Sequence, residues 1–120
     1  MARLSRRWRQ LTRRHVQALE RYADAVESMD ARMPAPPIDA TRVARVRALA
    51  RRIAQFVDEG RGGFGTADAR LLSAIGEELV RERSTLGERP YEAPEPVKFR
   101  IGLGSDILGV RDRVQQFTRI

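Results

Sequence analysis

The sequence predicts an all-α fold, and three observations carry that prediction. Apolar residues recur every three or four positions through three separate stretches. All six prolines fall outside those stretches. Only one short segment alternates with the period of a strand. The architecture expected is a long N-terminal helix, an antiparallel helical hairpin, an extended Pro-rich and β-like C-terminal arm, and a short terminal helix. A length of 120 residues allows one domain and not two. Residues 1–87 are expected to form the helical part and residues 88–120 the arm with its helix.

The first helix is expected from about residue 3 to 32. Leu4, Trp8, Leu11, His15, Ala18, Tyr22, Ala25 and Met29 keep an alternating spacing of four and three, a sustained heptad of the coiled-coil type. Pro34, Pro36 and Pro37 then stop it. Such a helix would be about 45 Å long, against a radius of gyration of about 14 Å for a compact chain of this length. It would therefore project from its domain or pack on another chain.

The second helix, 40–59, starts at Asp39 or Thr41, either able to cap it, and ends at Gly60. Val43, Val46, Leu49, Ile53, Phe56 and Val57 form its apolar face. The third, 66–86, is capped by Thr66 and carries Leu72, Ile75, Leu79 and Leu86 inward, with Gly87 at its end. In the arm, Pro90, Pro94 and Pro96 force an extended course. Val97, Phe99, Ile101 and Leu103 then alternate with Lys98, Arg100 and Gly102, as in a strand. A lone strand leaves its backbone unpaired, so the segment either adds to a partner's sheet edge or folds back over the helices. Ser105 is expected to cap the last helix.

Several chemistries are argued against. The chain has no cysteine, hence no disulfide, thiol nucleophile or cysteine-held metal, which favours the cytoplasm or the inside of a virion or other assembly. His15 is the sole histidine, so a two-histidine metal site is excluded. Gly60-Arg61-Gly62-Gly63-Phe64-Gly65 fits G-x-G-x-x-G. A dinucleotide site needs a strand before it, whereas a helix precedes it here, so it reads as a helix–helix connection. Glu20, Asp24 and Glu27, and Glu77, Glu78 and Glu82, read as solvated faces able to answer the arginines of the second helix. No catalytic, cofactor-binding or metal-binding residue is expected. No apolar run reaches the ~20 residues that span a bilayer. The Arg-rich, acid-free start has no apolar core of an export signal and continues the helical period.

Charge is the remaining signal. Residues 1–19 carry six Arg and residues 42–52 five, with no acid in either block, while the rest of the chain has a net of −4. Arg outnumbers Lys 22 to 1, as in a protein from a GC-rich bacterial genome, so the distribution is more informative than the residue type. The two blocks name Arg6, Arg7, Arg9, Arg13, Arg14, Arg45, Arg47, Arg51 and Arg52 as candidate nucleic-acid contacts. A membrane surface is a weaker alternative. Leu4, Trp8, Leu11, His15, Tyr22, Val97, Phe99, Ile101 and Leu103 are the candidate partner interface. The function expected first is a non-enzymatic oligomeric adaptor or structural subunit of a bacterial or phage assembly. Sequence-nonspecific nucleic-acid binding is expected second.

Overall fold

A computed structural model describes residues 11–33, 39–85 and 93–118. Among these residues are four α-helices and one 3₁₀ segment: α1 (Arg13–Glu27), α2 (Ala40–Glu59), α3 (Thr66–Leu79), a 3₁₀ turn (Arg81–Thr85) and α4 (Glu95–Gln116). The all-α class holds, and the described residues contain no strand.

The expected long first helix is shorter. Thr12 has extended backbone and caps α1, so no continuous helix crosses it. The Thr12 hydroxyl accepts from the Arg14 N–H, and the His15 Nδ1 accepts from the Thr12 N–H at 2.9 Å. This is a reciprocal capping box with histidine in the place usually held by Glu or Gln. At the other end Ser28 closes the helix and Met29 takes a φ of 55°. Leu4 and Trp8 lie outside the described residues. A helix of 15 residues does not outgrow its domain, and the heptad residues Leu11, Ala18, Tyr22 and Ala25 are all buried in the chain's own core.

The second helix has the expected bounds, with Asp39 accepting from the Arg42 N–H and Gly60 in the left-handed region. α3 stops seven residues early, because after Leu79 the sequence Arg81-Glu82-Arg83 offers no apolar residue to the core. Its cap is Gly65, not Thr66, with the Asp68 carboxylate accepting from the Gly65 N–H. Leu86, Gly87 and Pro90 lie outside the described residues.

The largest correction concerns the arm. Val97–Leu103 is helical, inside a 22-residue α4 that Pro94 caps. Pro96 sits in the first turn, where a missing N–H costs nothing because no carbonyl waits for it. Ser105 is interior to the helix, not its cap. Leu103, Ile107, Val110 and Val114 are all at most 1% exposed and form the buried stripe, with Phe99 packed against its start.

α2 packs on α1, α1 on α4, and α4 on α3. The second and third helices are thus not each other's main packing partners, as the expected hairpin would have them. Each is packed on a different neighbour, and ion pairs link the two: Arg42–Glu78 near one end and Arg52–Asp68 near the other. Leu19, Leu49, Ile53, Leu72, Ile75 and Ile107 are fully buried at the centre. Phe56 stacks at an angle on Phe64 and edge-on to Phe117, with ring centres 5.5 and 4.8 Å away, closing one end of the bundle. At the other end the turn after α1 is pinned to α4. Arg32 lies 3.6 Å over the Phe99 ring, and Arg100 donates to the Arg32 carbonyl at 2.6 Å.

Candidate nucleic-acid interface

Internal pairing decides which arginines remain to meet a ligand. Arg47 donates to Glu27 at 2.7 Å and to Asp24 at 2.8 Å, Arg42 donates to Glu78 at 2.7 Å, and Arg52 forks onto Asp68 at 2.6 and 2.9 Å. The acids expected to answer the second helix include Asp24, Glu27 and Glu78. Arg13 bonds Asp58. Exposed pairs of this kind contribute about 0–1 kcal/mol each, so their larger effect is to neutralise charge. Three of the five arginines of the second basic block are used in this way. Arg14, Arg45 and Arg51 form no ion pair among the described residues. Arg6, Arg7 and Arg9 lie outside them.

The candidate partner interface is also redistributed. Leu11, Tyr22 and Leu103 are 1%, 4% and 1% exposed, packed within the chain. Val97, Phe99, Ile101 and His15 are half-buried. Met29 is the one large apolar side chain exposed among the described residues.

What the fold brings together is a groove between α1 and α4, of about 720 Å³. Thr12, Arg14, His15, Ala18 and Arg21 line one wall, and Ser105, Asp106, Gly109 and Arg113 the other. The two helices run antiparallel along it: Arg113 acts on His15 at one end, while Arg21 faces Asp106 at 3.6 Å at the other. Arg14 and Arg21 are seven residues apart on α1, as are Asp106 and Arg113 on α4, so each pair shares a helix face. Three guanidinium groups thus meet one carboxylate. Sequence reasoning missed Arg21, Asp106 and Arg113. The seven-residue spacing within each helix is visible in the sequence, but the pairing of the two faces is made only by the fold.

His15 is held neutral in this groove. Partial burial is the main cause, followed by the positive charge of Arg113 and Arg14, and together they put its pKa below the ordinary value of 6.5. With Nδ1 accepting from Thr12, the proton rests on Nε2, which leaves the ring one N–H donor.

A second, smaller hollow lies between α2 and α3, where Arg45 and Arg70 stand near Asp39 and Thr66. With Arg42 it too has three arginines and one acid, but Arg42 is held by Glu78, and Arg45 is close enough to Asp68 to act on its carboxylate. The glycine loop holds no site of its own kind. Gly60 and Gly62 take φ of 72° and 96°, and Phe64 is buried and bridged to Thr118, as in a structural connection. Among the described residues no cluster of acids or histidine could hold a metal ion, and no helix is long and apolar enough to cross a membrane.

Comparison with protein-family models, curated proteins and solved structures returns no match, so geometry alone supports a functional reading.

Proposed function

We propose that the chain is a non-enzymatic protein that binds nucleic acid through its phosphate backbone, with little preference for sequence. One observation supports this above the others: Arg14 and Arg113, which form no ion pair among the described residues, stand on opposite walls of the α1–α4 groove with Arg21, whose 3.6 Å bridge engages Asp106, the one acid that lines it. In the sequence, Thr12 of this groove follows a stretch that carries Arg3, Arg6, Arg7 and Arg9. Base-specific readout has no support, since the described residues present no helix-turn-helix pair and no stacking strand. A cytoplasmic location fits a chain without cysteine.

The oligomeric-adaptor reading loses ground because the heptad residues Leu11, Ala18, Tyr22 and Ala25 and the stripe of α4 are buried within this chain. Titration of the full chain against two labelled duplexes of unrelated sequence, with its native mass measured alongside, separates the readings. Comparable affinity for both duplexes, with a mass near 13.6 kDa for the free protein, is the expected result. No binding at low salt, together with a mass several times larger, supports the adaptor instead.

A further inference from the structure

We infer that the α1–α4 groove seats one phosphodiester of the nucleic-acid backbone between Arg14, Arg21 and Arg113, with His15 as an added hydrogen-bond donor. The inference rests on the proposed function and narrows it from a charged protein to one site.

Three features of the groove favour a bound phosphate. Its walls carry opposed guanidinium groups, whose planar forks match phosphate oxygens. The one acid that lines it among the described residues is weakly engaged: the Arg21–Asp106 bridge spans 3.6 Å, and both side chains are more than half exposed, at 55% and 58%. That bridge is longer than the 2.6–2.8 Å pairs that hold Arg47 and Arg52, so a phosphate can replace Asp106 at little loss. Finally, the middle of the groove is open. Gly109 on one wall faces Ala18 on the other, and a Cβ at Gly109 would meet nothing within 4 Å.

A lipid headgroup offers the same phosphate chemistry, but a membrane also requires apolar side chains to insert. The one exposed large apolar residue among the described ones, Met29, is not part of the groove. Nucleic acid needs only the charge and the fork geometry.

The test uses the full chain, a labelled mixed-sequence duplex, inorganic phosphate, and vesicles of mixed anionic and neutral phospholipid. Gly109→Leu fills the groove without changing charge, Asp106→Asn removes the opposing acid, and Arg61→Gln removes one exposed charge elsewhere. We expect Gly109→Leu to weaken duplex binding roughly tenfold, as for loss of a charge-assisted hydrogen bond. Asp106→Asn should tighten it, and Arg61→Gln should change it much less than Gly109→Leu. Because His15 is the only histidine, its imidazole resonance reports on the groove alone; duplex should shift it in the wild type and not in Gly109→Leu. Should Gly109→Leu disturb folding, Arg113→Gln replaces it with the same expectation. A wild type that binds duplex while Gly109→Leu binds equally well and His15 stays unshifted overturns the groove and leaves the proposed function standing. Binding to vesicles but not to duplex, or to neither, overturns both.

Discussion

His15 combines a structural and an electrostatic role in one ring. Its Nδ1 completes the cap of α1, while burial, Arg113 and Arg14 oppose a second proton. A folded pKa below 6.5 means that the native state binds fewer protons than the unfolded chain as the pH falls through that value. The stability this contributes is complete above about pH 6.5 and declines as the pH drops toward the folded pKa. His15→Gln keeps an acceptor at the same capping position without a titrating group. Melting temperatures between about pH 7.5 and 5.5 should therefore fall for the wild type and fall less for the variant. Two glycines of α4 make a second test at this scale. A Cβ on Gly104 would stand 2.7 Å from the Val80 side chain and 3.1 Å from the Gly76 carbonyl, where α3 and α4 approach closely. Gly104→Ala should destabilise by about 1–3 kcal/mol. Gly109→Ala, five residues on, meets open space and should stabilise by about 0.5–1 kcal/mol through helix propensity. Denaturant midpoints of the two variants should move in opposite directions.

α4 shows why one element was misread from the sequence while another was placed correctly. Val97 to Leu103 alternates as a strand does, yet Phe99, Leu103, Ile107, Val110 and Val114 also follow a helical spacing of 4-4-3-4. Seven residues satisfy both periods, and only the continuation to Val114 separates them. The physics favours the helix, because a lone strand cannot pair its backbone whereas a helix pairs its own. α2 was legible because its cap, its apolar face and its terminal glycine agree. The break at Thr12 was not, because Leu11 and the heptad after it face the same core whether or not a helix joins them. Of the candidate site, Arg14 was named from the sequence. Arg21 and Arg113 were not, since the one lies outside both basic blocks and the other beyond the misread strand. Deleting residues 88–120 tests the role of α4. Burial of each of its four core residues contributes about 1.5–3 kcal/mol, a sum comparable to the whole net stability of a small domain, about 5–15 kcal/mol. The truncated chain should lose cooperative thermal unfolding and aggregate; a soluble, cooperatively folded fragment would show that α1 to α3 suffice.

At the scale of the whole molecule, the described arginines serve two tasks. Those paired with Asp24, Glu27, Asp58, Asp68 and Glu78 link the helices across an apolar core that holds no buried charge among the described residues. Arg14, Arg45, Arg51 and Arg113, which form no ion pair among the described residues, add to the outward positive field. The two sets should respond differently to salt. Exposed pairs are individually weak, so stability should change little between about 0.05 and 0.2 M salt. Polyanion binding should fall steeply over the same range, because each phosphate contacted releases counterions. The most direct test of nonspecific backbone binding is the equilibrium constant for full-length protein on two unrelated duplexes, measured across that range. The account predicts straight lines of log K against log salt with equal negative slopes, about 0.9 per phosphate neutralised. Absence of binding at the lowest salt, or affinity that ignores salt and differs between the duplexes, would contradict it.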